Sequence, residues 1–449
     1  MSVDTVSLTG WGRTAPSAAL RFRPRTYDEA VVAVRGCGPR GVVARGLGSA
    51  HGDAAQNAGG SVVDMTALDR IRTIDTGTGT VVCDAGVSLH RLMEVLLPLG
   101  WFVPVTPGTR QVTVGGAIAT DIHGSNHHAA GTFSRHVQAM ELLTADGTVR
   151  TVLPGTGLFD ATSGGLGLTG VILSATIRFQ PVTTSLMSVC TERATDLDDL
   201  MVRMAAPGYH HPYLAAWIDL LARGRATGRS VLTRGEHAPP EALPARARRT
   251  PLAFRPGRLP GPPVHVPEGL LGQASAALLN EFRYRSAPAF RTGELVRIPA
   301  FFHPLDSIPH INRLYGRGGS VRYQFVVGFG QEEVLHRIVR RFALRRCPSF
   351  SAVLRRFGDG GRGWLSFPMP GWSLAVGMPA RLPGLARLLD DLDEEVAAAG
   401  GRVCVAKDSR LRPETVAAMY PRLAEFRALR QELDPGRAFR SDLSRRLAL

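Results

Sequence analysis

Apolar and polar positions in the first third of the chain switch between a period of two and a helical period. Thr26-Tyr27-Asp28-Glu29 has the spacing of a capping box and predicts a helix through about Val34. Short runs at 41–44, 61–64, 71–75 and 80–85, rich in β-branched residues and bounded by Gly, Asp and Thr, read as strands. Ser88 caps a predicted helix with Leu89, Leu92, Met93 and Leu96 on one face. A strand at 101–105 follows. A hairpin then pairs 137–143 with 149–153 around Ala145-Asp146-Gly147, and a strand at 171–179 follows the run Gly164 to Gly170.

Beyond Pro181 the pattern changes. Strand-like runs at 213–219, 321–327 and 372–376 alternate with helical ones at 332–344 and 385–399. This is the pattern of an antiparallel sheet covered by helices, so the expected fold class is α+β. Residues 235–270 are rich in Pro, Arg and Gly without a period and read as a long mobile loop, a lid over the substrate. From about Arg402 the chain returns to short helices ending at Leu449. No internal repeat is visible.

Composition narrows the class. A length of 449 residues with 44% hydrophobic and 20% charged residues suits a soluble protein with two cores. There is no apolar run long enough to cross a bilayer and no leader pattern, so a cytoplasmic location is expected, with at most peripheral membrane contact. The five cysteines, Cys37, Cys83, Cys190, Cys347 and Cys404, have neither disulfide nor zinc spacing, and no metal is expected. The net charge of +15 admits a polyanion partner, but the basic clusters lack interleaved aromatics, so no nucleic acid is expected. Of the 53 basic residues a single one is lysine, Lys407. A buried lysine can lose its proton where arginine cannot, which makes the exception a chemical candidate.

Two glycine-rich stretches stand out: Arg45-Gly46-Leu47-Gly48-Ser49-Ala50-His51-Gly52-Asp53, and Pro107 to Gly124, which contains Gly115-Gly116, Asp121 and His123. Glycine turns let backbone N–H groups close on an anion, and two converging turns would cradle a pyrophosphate. The spacing Gly46, Gly48, Gly52 is not the Rossmann fingerprint, and the absence of a lysine excludes a Walker loop.

With these residues in view, the sequence resembles the vanillyl-alcohol-oxidase type of flavoprotein, and within it the decaprenylphosphoryl-ribose-oxidase branch. The resemblance rests on Leu8-Thr9-Gly10-Trp11-Gly12-Arg13, both glycine stretches, Asn126-His127-His128 and Leu142-Leu143-Thr144-Ala145-Asp146-Gly147. It continues through Phe302-His303-Pro304-Leu305-Asp306, Tyr323-Gln324-Phe325-Val326, Ser366-Phe367-Pro368, Pro370-Gly371-Trp372, Ala406-Lys407-Asp408-Ser409-Arg410 and Met419-Tyr420-Pro421-Arg422.

The resemblance implies FAD as cofactor. It also implies an FAD-binding domain at 6–183, a substrate cap at 184–401 and a return to the FAD domain at 402–449. Arg45, Gly46, Leu47, Gly48, Ser49, Ala50, His51, Gly108, Thr109, Thr113, Gly116 and Thr120 would line the cofactor. So would Asp121, His123, Gly124 and Asn126 beside the flavin ring, Gly170 and Val171 at the adenine end, and Tyr420 from the tail. Ser49 stands where many members have a histidine bonded to the flavin, so dissociable FAD is expected, with His51 the local residue that could overturn this.

The implied chemistry is transfer of a hydride from a carbinol carbon while a basic group takes the hydroxyl proton. Lys407 is the first candidate at the hydroxyl, as neutral base or as a cation stabilising alkoxide, against a structural salt bridge to Asp408 or to the cofactor phosphate. His123 is placed at the flavin, with a packed role as the alternative, and Tyr323, Gln324 and Tyr315 are hydrogen-bonding candidates on the cap side, with core packing the competitor for both tyrosines. Trp217, Tyr315, Arg355, Ser373 and Ala375 are the substrate candidates. The branch's pattern departs at Ser125, His51, Ser373 and Ala375, which lose a lysine, a tyrosine, an asparagine and a cysteine. The substrate is therefore expected to be a lipid-linked sugar phosphate or, alternatively, a soluble sugar, nucleoside or aminocyclitol. The ketone formed would pass to an NAD(P)H-dependent short-chain reductase that completes an epimerisation.

Overall fold

The computed structural model describes residues 1–206, 211–267, 270 and 272–449. Strands β1 (Ser2–Leu8), β2 (Ser17–Arg23), β3 (Val42–Arg45) and β4 (Ser61–Asp64) form a sheet of order β1-β2-β4-β3. β3 runs parallel to β4 and delivers the chain into the first glycine stretch. The helix Tyr27–Arg35 opens as expected, Thr26 accepting from the Glu29 N–H at 3.2 Å. The capping box is not completed, because the Glu29 carboxylate turns to the Met1 ammonium and the Arg25 N–H instead.

A second, antiparallel sheet contains β5 (Ile71–Asp75) and β6 (Thr80–Asp84). After the short β7 (Trp101–Phe102) come its remaining strands, β8 (Val137–Leu143), β9 (Val149–Val152) and β10 (Val171–Arg178), in the order β5-β6-β10-β8-β9. The run expected at 101–105 pairs only through Trp101 and Phe102, against β11 (Gln180–Pro181). The residues after it continue extended into the second glycine stretch.

The remainder builds one eight-stranded antiparallel sheet. Its strands are β12 (Leu186–Ala194), β13 (Tyr213–Ile218), β14 (Ser230–His237), β15 (Phe290–Arg297), β16 (Ser320–Gly328), β17 (Val353–Phe357), β18 (Gly371–Pro379) and β19 (Arg402–Val403), in the order β15-β12-β14-β13-β17-β18-β16-β19. The helices Leu197–Ala205, Glu332–Leu344 and Leu385–Ala398 contribute to a continuous apolar core with Ala216, Leu354, Leu374 and Phe325 of the sheet. Burying aliphatic stripes of this kind contributes about 1.5–3 kcal/mol per side chain. The opposite face carries Arg322, Gln324, Arg355 and Ser373 on β16, β17 and β18, with apolar residues of β12 and β13 beside them.

The segment expected as an irregular loop at 235–270 is more ordered than its composition implies. β14 runs through His237, and helical turns occupy 240–242 and 245–248. Its residues 268 and 269 lie outside the described residues. The tail returns to the first sheet, where Phe439 bridges Val42 and the Arg440 N–H donates to the Val42 carbonyl at 2.9 Å.

Candidate functional site

The two glycine stretches meet. A Cβ on Gly46 would stand 2.2 Å from Thr113 Oγ1, and Ser49 Oγ donates to the Gln111 carbonyl. Gly48 has φ +70°, a left-handed conformation open to glycine, and a Cβ there would meet the Arg45 guanidinium at 2.2 Å. On its far side the first stretch touches the Lys407 segment, since a Cβ on Gly52 would lie 1.7 Å from the Asp408 carbonyl oxygen. These close backbone approaches require glycine and explain why the motif could not be padded with larger residues.

Among the described residues, none of the N–H groups from Gly46 to Asp53 donates to a backbone carbonyl of the protein. A row of half-buried, unengaged donors on a tight turn fits the pyrophosphate of FAD. Arg45 is not a free cation at this site: it donates to the Ala55 and Thr9 carbonyls at 2.8 and 2.7 Å and braces the turn. Arg446 adds a second brace, bonding Asp53 at 2.8 Å and Asp408 at 2.9 Å.

The chemistry-bearing side chains converge on the polar face of the large sheet. Gln324 lies opposite Ala375, which lies opposite Val353, which lies opposite Trp217. In the next row Ser373 lies opposite Arg355. Residues paired across a ladder share a face, so this face holds Gln324, Ala375, Trp217, Ser373 and Arg355, and two residues before Gln324 it also holds Arg322.

Gln324 is the hub. Its Oε1 accepts from Lys407 Nζ, and its Nε2 donates at 3.0 Å to His123 Nε2 and at 3.0 Å to Ser373 Oγ. Every polar atom of this buried amide is engaged, which holds lysine and imidazole in one geometry. Lys407 sits at the end of a 3-10 turn whose start is tied to the same strand by Cys404 N–H donating to the Gln324 carbonyl at 2.8 Å.

His123 is held from behind. Asp121 has φ 40°, a conformation rare outside glycine, and its buried carboxylate accepts from the Ser134 N–H at 3.1 Å and Ser366 Oγ at 2.5 Å. Burial raises the Asp121 carboxyl above its ordinary value despite those bonds. Phe357 and Phe367 pack on the imidazole with centroids 5.0 and 5.4 Å away.

Burial pulls Lys407 down from 10.5 to about 8, a direction that Arg322 and Arg355 reinforce and Cys404 opposes. That depression corresponds to roughly 3 kcal/mol against the cation. Burial and then Lys407 hold His123 well below its ordinary value, so it is a neutral imidazole accepting at Nε2. Arg355 is depressed to about 10 by burial and by Arg322, and its Nε has no partner. Arg322 is depressed by burial, with Tyr315 and Cys404 opposing. No described carboxylate contributes to the setting of any of the three cations. The alternative of a Lys407–Asp408 salt bridge is thereby removed: Asp408 bonds Arg446 and the N–H groups of Arg410 and Leu411.

Several expected site residues stand elsewhere. Tyr323, adjacent to Gln324, points to the opposite face and belongs to the apolar core, because strand neighbours alternate sides. Tyr323→Phe is accordingly expected to retain kcat within about twofold, measured by steady-state turnover. Val171 is in a second core with Leu143 and Val42, not exposed to a ligand. The Tyr420 hydroxyl donates to the Val403 carbonyl at 2.7 Å and supports the Lys407 segment from the core. Asp121 likewise directs its carboxylate to protein donors and serves as the anchor described above.

The remaining candidates fall near the cradle or the sheet face. Thr113 caps the helix Val114–Ala119 through the Gly116 N–H at 3.2 Å, and Thr120 Oγ1 donates back to the Gly116 carbonyl. Gly124 packs against Asn126, whose Nδ2 donates to the Pro104 carbonyl at 2.8 Å. Thr109 Oγ1 accepts from the Gln111 N–H, while Gly108 and Leu47 are exposed and Gly170 lies against the Leu143 carbonyl. Ala50 borders the main core, and the His51 ring lies 4.9 Å from Trp11.

The indole N–H of Trp217 donates to the Phe350 carbonyl at 3.1 Å. Tyr315 stacks on Phe350 at 5.7 Å, and both line a pocket with His51, Trp11 and Arg322. Arg322 was not among the expected residues, although a period of two counted back from Gln324 reaches it.

A family model described as an FAD binding domain matches residues 18–153, and one described as D-arabinono-1,4-lactone oxidase matches residues 379–447. An uncharacterised protein of Streptomyces coelicolor is 55% identical over 373 residues, 81% of this chain and 100% of its own length. The decaprenylphosphoryl-beta-D-ribose oxidase of Mycolicibacterium smegmatis is 43% identical over 452 residues, 99% of this chain and 98% of that protein. An alditol oxidase of a Streptomyces species is 25% identical over 99% of both chains.

Proposed function

The chain belongs to the vanillyl-alcohol-oxidase type of FAD-dependent oxidases, which act on CH–OH groups, and from that premise we propose that it oxidises a secondary hydroxyl of an anionic, sugar-like substrate to a ketone. The observation that carries this reading is the Lys407–Gln324–His123 chain beside two further cations without a carboxylate. FAD, when bound, supplies the acceptor for the hydride.

The protein's own groups do the rest. With FAD bound, the first glycine stretch and Thr113 would hold its pyrophosphate. Neutral Lys407 takes the hydroxyl proton at Nζ, and Gln324 fixes Nζ in place through Oε1. His123 stays neutral and keeps the amide of Gln324 in the one orientation that accepts from lysine. Arg322 and Arg355 bind an anionic substituent of the substrate, which supports a sugar phosphate over a neutral sugar, nucleoside or aminocyclitol. The ketone would then be reduced by a separate NAD(P)H-dependent enzyme, the second half of an epimerisation.

Anaerobic bleaching of the flavin tests the reading. Prenyl-phosphate sugars or sugar phosphates should bleach it, and their neutral counterparts should do so far more slowly. Equal rates with neutral alditols would overturn the anionic assignment, and no bleaching by any carbinol would overturn the reaction. We also propose that FAD is held without a covalent bond, since Ser49 is engaged with Gln111 and the His51 ring lies on Trp11. Acid precipitation should leave the yellow colour in the supernatant; a coloured pellet refutes this.

A further inference from the structure

The pocket that reaches Arg322 opens between Leu305, Ile311 and Tyr315 on one wall and His51 and Trp11 on the other. Outside that wall lies the proline-rich segment 255–267. The Leu259 N–H donates to the Ser307 carbonyl at 2.7 Å, and the Val266 N–H donates to the Arg313 carbonyl at 3.1 Å. Arg313 Nη1 reaches back to the Pro263 carbonyl at 2.8 Å. The segment is therefore a fixed rim on the pocket wall.

The composition of this rim is unusual for a solvent-facing surface. Leu259 is 56% exposed, Val264 70%, and Leu305 on the wall itself 42%. Pro260 and Pro263 are exposed between Leu259 and Val264, and Arg255 and Arg258 just before them are exposed as well, as is Arg317, next to the Gly316 carbonyl that His265 contacts at 3.2 Å. The first carboxylate after residue 249 is Glu268, beyond the rim, and the single one at 304–317, Asp306, is engaged with Arg110 at 2.8 Å. Exposed large aliphatics next to exposed arginines match the chemistry of an anionic lipid surface, where acyl chains take the aliphatics and headgroups the guanidinium groups. No helix among the described residues is long and apolar enough to cross a membrane, so contact through such a rim is peripheral.

We propose that residues 255–267 and Leu305 form a docking rim that seats the protein on an anionic phospholipid bilayer with the pocket mouth at the headgroups. The proposal concerns adsorption and stands apart from the identity of the substrate.

The test is co-sedimentation of the FAD-loaded protein with vesicles of phosphatidylcholine alone or with one quarter phosphatidylglycerol. Binding should require phosphatidylglycerol and weaken with salt. Arg255→Gln should lower the partition coefficient about fivefold, and Leu259→Ser with Val264→Ser about tenfold, at unchanged melting temperature. The exposed Leu278 and Phe282, on the helix Gln273–Ser286 outside the rim segment, serve as an internal control; Leu278→Ser with Phe282→Ser should leave binding unchanged.

Equal binding to neutral vesicles, unchanged binding in the rim variants, or loss confined to the Leu278 and Phe282 variant would overturn the proposal. So would a parent protein that is dimeric in solution and becomes monomeric in the rim variants, because the rim would then cover a second copy. None of these outcomes bears on flavin bleaching, so failure here leaves the proposed reaction standing.

Discussion

Lys407→Ala is expected to lower kcat/KM by at least about 10³-fold while the protein still binds FAD. The lysine is the only group at the hub that can change its protonation near neutral pH. His123 is held neutral, and Gln324 is an amide with both ends engaged. The sign of the pH dependence follows from the same arrangement. Because the base must be neutral and burial has brought Lys407 to about 8, kcat/KM should rise with pH and level off above about 8. A profile that falls through that region would instead assign the cation, stabilising alkoxide, as the working form. Lys407→Arg should not rescue the activity, because an arginine beside Arg322 and Arg355 stays protonated and its fork does not fit a single amide oxygen. Turnover of Lys407→Ala at the parent rate, read by anaerobic bleaching, would remove the lysine from the mechanism.

The second large effect concerns Arg322. Arg322→Gln is expected to cost about 10²-fold in kcat/KM for an anionic substrate and little for a neutral one, since one partner of a buried charge contact typically carries 2–5 kcal/mol. Two further readouts separate binding from general damage. Removing a like charge favours protonated Lys407, so the rising limb of the pH profile should move above about 8. The ligand-free variant should also melt at a higher temperature than the parent, because a half-buried cation with no carboxylate acting on it is itself a cost to the fold. Arg355→Gln should move both properties in the same directions, as its Nε lacks a partner and its neighbours include Arg322. A lower melting temperature with equal losses on neutral and anionic substrates would reduce both arginines to packing.

These expectations also show where reasoning from pattern alone stops. The α+β class, the helices at 332–344 and 385–399 and the hairpin around Asp146 were legible because apolar period and turn chemistry are local properties. β12, β14, β15 and β17 were not read as strands, because their residues owe that conformation to partners far along the chain. Lys407 stood out as the single lysine among the 53 basic residues, and the glycine stretches by their unusual spacing.

At Tyr323 the fold selects core packing over a cap-side hydrogen bond, because a strand sends the neighbours Tyr323 and Gln324 to opposite faces. The Tyr420 hydroxyl bonds the Val403 carbonyl and Val171 packs in an apolar cluster, placements that a motif in a string does not show. Arg322 was passed over because one arginine among 52 carries no signal in a string.

What the string determined by itself was which backbone can turn tightly, which stripes must be buried, and that one cation differs in kind from the rest. Only the folded sheet decided which side chains share a face, and hence that lysine, amide and imidazole form one chain and that two arginines stand beside them without a carboxylate. The physical reason is one of range. Dihedral preference and hydrophobic period act over a few residues, whereas desolvation and charge pairing depend on neighbours that tertiary packing brings from hundreds of positions away, as Lys407 is brought to His123 and Arg446 to Asp53.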